Sequence, residues 1–377
     1  MSGRSRKAVG LYIHLPFCAS RCAYCTFVTS TELALLPRTV AALCRELELL
    51  GRRSGRPLVA LYLGGGTPSL VPEDLLGQVF QVLAHHFPLL PDAEVTLEAN
   101  PDDVTRERAD AWSRLGVNRV SVGVQAFCDP VLAMLNRRHT AVQAREAVEL
   151  LQSAGFSVSV DLMLGLPGMS ASDLQATVSE VLRLRPGHVS VYLLEMDKPH
   201  ALGRLAVRRP DLFPDADAAA RQYLSAGRAL VGAGYRHYEV SNFALPGRLA
   251  RHNMRYWRRA PVLSAGPAAH GHSGRRRWAA PDELPAYLEA VESGRLPRAW
   301  SRGLDPREVL KESVMLGLRL ARGVSEELVE ACATEVPGFR DRLDDFRALG
   351  LARRSGARVR LTPRGWLVSN ELFAAIW

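Results

Sequence analysis

Along the first two thirds of the chain, short apolar and β-branched runs alternate with longer stretches whose apolar residues recur every three or four positions. The short runs Val9–Leu15, Leu58–Leu63, Glu94–Glu98, Arg119–Val124, Ser157–Met163 and His188–Leu194 read as strands, with Tyr235–Val240 as a further candidate. The amphipathic stretches Pro37–Leu50, Pro72–His86, Thr105–Leu115, Ala141–Ala154, Ala171–Leu184 and Asp215–Ala233 read as helices. Gly116, Gly155 and Gly234 close three of these helices, where a left-handed residue commonly ends one. About six strand–helix units in series predict a parallel sheet. Right-handed crossovers would curl it into a full or partial (β/α) barrel.

The pattern changes after about residue 300. Asp305–Leu320 reads as one amphipathic helix, and Ser325–Ala333 and Phe339–Leu349 as shorter ones. Residues 350–363 read as a hairpin turning at Ser355-Gly356, with a last helix from about Gly365. Helices followed by a hairpin suggest a small winged-helix-like module. The expected class is therefore α/β, a partial (β/α)6 barrel with a small C-terminal helical, winged-helix-like domain. The expected division is 1–240 for the barrel, 241–300 for a connecting region and 301–377 for the small domain.

Polar residues concentrate where the predicted strands end. The first strand runs into Cys18-Ala19-Ser20-Arg21-Cys22-Ala23-Tyr24-Cys25, and the second into Gly64-Gly65-Gly66-Thr67-Pro68. The third ends in Glu98, the fourth in Gln125 and the sixth in Glu195; the fifth carries Asp161 and runs into Gly165-Leu166-Pro167-Gly168. In a (β/α) barrel the C-terminal rim carries the chemistry, so these residues are expected around one mouth.

Cys18, Cys22 and Cys25 form a Cys-x3-Cys-x2-Cys array. Thiolates bunched so closely can hold zinc or an iron–sulfur cluster. A closed zinc site needs a fourth ligand, for which only His14 is near. A four-iron cluster held by three cysteines keeps open coordination sites on one iron. The glycine run is either a tight turn or a place where a ligand approaches the backbone closely. Glu98 either caps the rim or accepts hydrogen bonds from ligand hydroxyls or amines; Gln125 and Asp161 follow the same argument. Arg137 is either a surface arginine or a planar fork for a carboxylate. In His252-Asn253-Met254-Arg255-Tyr256-Trp257, His252 is either structural or a haem ligand beside stacking aromatics. Arg251, Arg255, Arg258, Arg259 and Arg275-Arg276-Arg277 would then be at hand for propionates. His270 and His272 are secondary candidates.

Composition narrows the setting. The chain has 377 residues, 47% hydrophobic and 23% charged, enough for a sizeable core. No run of 18 apolar residues is present, so no membrane-spanning helix is expected. The basic first ten residues lead into no apolar signal-peptide core. Six cysteines, three of them clustered, suggest a reducing, cytoplasmic compartment; Cys44, Cys128 and Cys332 read as small buried hydrophobes. The formal net charge is +9, and all but three of the 48 basic residues are arginine. Without a basic stripe interleaved with aromatics, no nucleic-acid partner is expected.

Taken together, Tyr-x-His-x-Pro-Phe-Cys-x3-Cys-x-Tyr-Cys-x-Phe, Gly-Gly-Gly-Thr-Pro, Glu-x-Asn-Pro, Gly-Val-Gln-x-Phe and Asp-Leu-Met-x-Gly-Leu-Pro resemble the radical S-adenosylmethionine (SAM) group. More closely, they resemble the part that includes oxygen-independent coproporphyrinogen III oxidase and its relatives. His-Asn-x-x-Tyr-Trp is similar to the motif of the haem-chaperone branch of that group. By position, the resemblance implies that Cys18, Cys22 and Cys25 hold a [4Fe-4S] cluster. It implies SAM contacts for Tyr12, Tyr24, Gly65, Gly66, Thr67, Glu98, Gln125, Arg137 and Asp161, and a haem role for His252. The oxidase pattern has a further Cys where this chain has Phe27, and a longer leader than the 17 residues before Cys18; both differences favour the chaperone branch. The expected function is haem binding and delivery to an acceptor protein, for example a membrane-associated respiratory one. The alternatives are the oxidase itself and a radical SAM enzyme acting on RNA, the latter suggested by net charge and the C-terminal module.

Overall fold

The computed structural model describes residues 8–377. Its centre is six parallel strands: β1 (Val9–Leu15), β2 (Leu58–Gly65), β3 (Leu89–Ala99), β4 (Arg119–Gln125), β5 (Ser157–Leu164) and β6 (His188–Leu193). They lie side by side in chain order. Helices Leu36–Arg53, Glu73–His86, Arg106–Arg114, Ala141–Ser153 and Ala171–Leu184 make the crossovers. Alternation along each strand decides which side chains face the helices. On β1, Val9, Leu11, Ile13 and Leu15 are at most 1% exposed and join one large core with Leu43, Leu47, Leu61 and Leu63. The alternate positions face inward and are polar. In register, Glu98 stands beside Ser121, Ser121 beside Ser159, and Ser159 beside His188, giving a polar rung across four strands.

Both edges of this sheet are extended, mostly by strands from the expected connecting region 241–300. β7 (Arg236–His237) and β8 (Asn242–Ala244) add beyond β6, with β8 antiparallel to it. β9 (Val262–Ala265) runs parallel to β1, and β10 (His270–Ser273), β11 (Arg276–Ala279) and β12 (Trp300–Gly303) follow antiparallel. The sheet thus has 12 strands. The candidate strand Tyr235–Val240 shrinks to β7, because the backbone turns at Glu239, where Asn242 N–H bonds the Glu239 carbonyl.

The C-terminal module has its own core, built on Val314, Leu318, Phe339, Leu343, Val359 and Leu372. Helices Pro306–Leu318, Glu326–Glu335 and Phe339–Ala348 precede the expected hairpin, β14 (Ala352–Ser355) with β15 (Arg358–Leu361), and the short β13 (Val324–Ser325) pairs with β15. Glu312 on the first of these helices receives Arg259 and Arg277, from either side of β9 and β10. Among the described residues no helix is long and apolar enough to cross a membrane.

One buried carboxylate fastens β9 to the first helix. Glu46 is 0% exposed and accepts hydrogen bonds from the Gly266 N–H (2.8 Å) and the Tyr287 hydroxyl (2.9 Å). Gly266 has φ +98°, and a Cβ there would stand 2.2 Å from the His14 carbonyl oxygen. Burial pushes the Glu46 carboxyl up to about 7. A folded-state value above the unfolded one means stability that is complete at acid pH and lost as pH rises through about 7. The loss is at most about 3 kcal/mol for this one group. Glu98 and Glu239 are also pushed up to about 7. Glu46→Gln is therefore expected to reduce, by roughly a third, the fall in melting temperature between pH 5 and 8.5, measured by thermal unfolding across that range.

Candidate functional site: a three-cysteine cavity

A cavity of about 460 Å³ opens at the C-terminal ends of the parallel strands. Its wall includes Cys18, Cys22, Cys25, Tyr24, Gly65, Gly66, Thr67, Glu98, Gln125, Arg137 and Asp161. Eleven of the residues expected at the site thus converge there, as the strand-end pattern requires. Tyr12 and His252 lie behind that wall.

The cysteine loop is pinned at several points. Phe17, 0% exposed, anchors its start. Cys18 N–H bonds the Ser30 carbonyl (2.9 Å), Ser30 N–H the Pro16 carbonyl (2.8 Å), and Ala23 N–H the Leu135 carbonyl (3.0 Å). The glycine turn supports the loop from beneath: Gly66 N–H bonds the Leu15 carbonyl and Thr67 N–H the Phe17 carbonyl, each at 2.8 Å. A Cβ on Gly66 would lie 2.6 Å from the Phe17 oxygen, so only glycine allows this approach.

The three thiols are half-buried, and two of them meet donors. Thr67 Oγ1 donates to Cys18 Sγ (3.5 Å) and an Arg137 terminal N–H to Cys22 Sγ (3.2 Å). Burial raises the Cys18 and Cys25 thiols, and the neighbouring thiols raise them further. Ionising Cys18 and Cys25 therefore calls for a cationic guest. His14 is not available as a fourth ligand, since Nε2 engages the Val28 carbonyl (2.9 Å) and Nδ1 the Tyr12 hydroxyl (3.1 Å). Zinc held at about 2.3 Å by each sulfur would draw the sulfurs to about 3.8 Å apart. Among the described residues no group of three His, Cys, Asp or Glu is placed to hold a single metal ion. A cube with one cysteine per iron tolerates wider spacing, and donors to sulfur are the usual surroundings of such clusters. The residues present fit a three-thiolate [4Fe-4S] cluster.

Beside the thiols lie two carboxylates. Glu98 accepts from the Tyr62 hydroxyl (2.7 Å) and the Gly65 N–H (3.1 Å). One edge of Glu98 meets the cavity, yet burial in the surrounding protein pushes its carboxyl up to about 7, helped by Asp161. Asp161 accepts from the Ser121 hydroxyl (3.0 Å) and is also raised by burial. Two crowded carboxylates suit a cationic guest, and SAM brings an ammonium and a sulfonium. Gln125 ends β4 with φ 67°, left-handed backbone in a residue with a side chain, the kind of outlier that clusters at functional sites. The Arg137 guanidinium also donates to the Gly123 carbonyl (2.6 Å) and Asn100 Oδ1 (2.7 Å). Its buried Nε–H has no partner among the described residues.

His252 occupies a different place. It is 1% exposed, with ring centroids 5.1 Å from Tyr62, 5.3 Å from Tyr256 and 6.3 Å from Tyr12. Its backbone N–H and that of Arg251 cap the helix Arg251–Trp257 on Glu94, at 2.8 and 2.9 Å. Burial drops its imidazole to about 3. Four of the nearby arginines are committed: Arg251 to Asp92 (3.2 Å), Arg255 to the Pro261 carbonyl (2.8 Å), and Arg259 and Arg277 to Glu312. As folded, His252 packs the barrel floor.

Sequence reasoning passed over Tyr62, Ser121, Ser190 and Arg119, which all line the cavity. Tyr62, Ser121 and Ser190 interrupt apolar strands at inward positions, and that period-two interruption is the signal that could have found them.

Residues 12–181 match the family model of the Radical SAM superfamily and residues 304–368 that of the HemN C-terminal domain. The chain is 38% identical over 370 residues to the Heme chaperone HemW of Mycobacterium tuberculosis, covering 96% of this chain and 93% of that protein. It is 35% identical to the Heme chaperone HemW of Synechocystis, covering 97% and 95%. Among solved structures, Escherichia coli coproporphyrinogen III oxidase (HemN), described as a radical SAM enzyme, superposes with TM-score 0.87 at 21% identity, over 99% of this chain and 90% of that one, a likeness of fold. Near-complete alignment with those relatives, together with a cavity that fits the cluster and cofactor of the superfamily, leads to one conclusion: the chain belongs to the HemW family of radical SAM proteins.

Proposed function

We propose that the protein is a haem chaperone. It binds haem together with a [4Fe-4S] cluster and SAM in the cytoplasm and delivers haem to acceptor proteins, including membrane-associated respiratory ones. The observation that carries this reading is the near full-length similarity to relatives named heme chaperone, 38% identical over 96% of this chain in one case. Superfamily membership implies the cluster and SAM.

Cys18, Cys22 and Cys25 would hold the cluster, which when bound supplies an electron and one iron with open coordination sites. The rest is the work of side chains. Thr67 and Arg137 donate to the sulfurs and favour their thiolate form. Glu98 and Asp161 orient positive charge, and the Gly65-Gly66 backbone allows close approach. Tyr24 closes the wall against Cys22 and keeps water from the thiols; burial raises its phenol.

Phe27 argues against the oxidase reading, because its apolar side chain, 65% exposed, stands where that enzyme's pattern has a further thiol. The test is anaerobic reconstitution with iron and sulfide, haem titration, and then mixing with an apo-haemoprotein. A shifted Soret band that moves to the acceptor is the expected result. Formation of protoporphyrinogen IX from coproporphyrinogen III, with SAM and a reductant, would replace the chaperone by the oxidase.

A further inference from the structure

The cavity has two ends of opposite character. Towards the thiols its carboxylates, Glu98 and Asp161, are acceptors. Towards the floor the wall carries Arg119, Ser159, His188 and Asn253, and there donors prevail. Arg119 and His188 begin β4 and β6, and Ser159 is third on β5, so these groups lie at the end of the barrel opposite the cysteine loop. Arg119 is 4% exposed. One terminal N–H reaches the Arg248 carbonyl (3.2 Å). Glu94 approaches it to 3.9 Å, beyond hydrogen-bond reach, and both Glu94 oxygens already accept from the Arg251 and His252 amides. A guanidinium has five N–H groups, so most of these have no partner among the described residues. A buried guanidinium left so is costly, and a planar carboxylate matches its fork.

Beside Arg119 a hydrogen-bonded chain sets the direction of a hydroxyl. The Ala250 N–H donates to the Tyr238 hydroxyl oxygen (3.3 Å). The Tyr238 hydrogen then has one acceptor among the described residues, His188 Nε2 at 2.8 Å. Burial, and after it the Arg119 charge, holds the His188 imidazole well below the usual histidine range, so the ring is neutral. A neutral ring that accepts at Nε2 donates at Nδ1, here to Ser159 Oγ at 2.7 Å. The Ser159 hydrogen is left for the cavity. Asp161, two residues on from Ser159, is engaged by the Ser121 hydroxyl (3.0 Å) and raised by burial. Asn253, from the helix that packs the floor, is half-buried on the same wall, and its side-chain amide has no partner among the described residues.

We propose that the floor of the cavity is a second binding site, apart from the groups assigned to SAM, and that it takes the carboxylate of a small organic acid or of a larger guest's side arm. Arg119 supplies the charge and the fork, Ser159 a further donor and Asn253 an amide. His188 and Tyr238 are positioning residues that keep Ser159 donating into the cavity. The proposal goes beyond the haem-chaperone reading and does not depend on it.

The test uses the full chain reconstituted with iron and sulfide, with propionate as the probe, read by calorimetry and by the melting curve. Propionate is expected to bind, and propionamide, of the same shape without the charge, to bind about tenfold more weakly or less. Arg119→Met is expected to lose about 10–100-fold in propionate affinity together with the preference for the acid, and Arg119→Lys to keep that preference. Tyr238→Phe frees His188 to accept from Ser159 and is expected to weaken propionate by about 2–10-fold with propionamide unchanged. Iron content and the ligand-free melting curve report whether each variant folds; should Arg119→Met fail to, Tyr238→Phe and Ser159→Ala carry the test. Haem against its dimethyl ester separates the sources: an ester penalty that vanishes in Arg119→Met assigns the floor to a side arm, and no such penalty assigns it to the free acid. Equal binding of propionate and propionamide by the wild-type protein overturns the proposal. So does displacement of propionate by SAM, which would make the floor the seat of SAM's own carboxylate.

Discussion

Cys22→Ala is expected to abolish the iron–sulfur chromophore of the reconstituted protein. The wild-type chain should hold about four irons and absorb broadly near 400 nm; the variant should hold close to none. Among the described residues the three thiols are the only cysteines on the cavity wall, and a cube with one cysteine per iron cannot give up a second anchor. Cys22 is the most telling of the three, because its sulfur also receives the Arg137 guanidinium at 3.2 Å. Removing it strands one donor of an arginine that is already short of a partner at Nε, at a cost of about 1–3 kcal/mol. Iron loss should therefore come with a lowered melting temperature even in the metal-free protein. Cys44→Ala is the control: that thiol is half-buried on the first helix, outside the cavity, and its loss should leave the iron count unchanged. Full iron content in Cys22→Ala would defeat the three-thiolate assignment.

The second large effect concerns Glu98. Its carboxyl is pushed up to about 7, chiefly by burial and then by Asp161, so below that pH it is mostly protonated and above it mostly charged. A cationic guest prefers the charged form. SAM affinity should therefore rise with pH, approaching about tenfold per unit below pH 7 and levelling off above it. Glu98→Gln keeps the shape and an acceptor for Tyr62 but loses the charge. The expected cost is about 10–100-fold in affinity at pH 8, the worth of a charge-assisted hydrogen bond, together with loss of the pH dependence. The apo protein responds in the opposite sense: stability present at acid pH and lost as Glu98 ionises through about 7 is retained by the variant. Calorimetric titration at pH 6, 7 and 8, with thermal unfolding alongside, reads both. A pH-independent affinity in the wild-type protein would take Glu98 out of the site.

The six-strand centre was legible because its strands are apolar on the helix-facing side and end in residues too polar or too flexible to continue. Cys18, Gly65, Glu98 and Gln125 all lie at or just beyond such strand ends. The edge strands β9 to β12 were not legible. Val262–Ala265 and His270–Ser273 are four-residue runs with glycine, histidine or arginine around them, and only pairing with β1 and with each other makes them strands. His252 illustrates a different limit. Its aromatic and basic neighbours in sequence suggested an open macrocycle site, yet in space Tyr256, joined by Tyr12 and Tyr62 from distant strands, surrounds the ring, while Arg251, Arg255 and Arg259 turn to Asp92, the Pro261 carbonyl and Glu312. Residue type and spacing report what a side chain can do, while exposure is settled by distant parts of the chain.

The two 2.8 Å bonds from the Gly66 and Thr67 amides to the Leu15 and Phe17 carbonyls make the sulfur-bearing loop and the glycine cradle a single scaffold. Neither can shift without carrying the other. If one guest tightens this scaffold for the other, the second tightens it for the first by the same factor, so loading of cluster and SAM is expected to be mutually reinforcing.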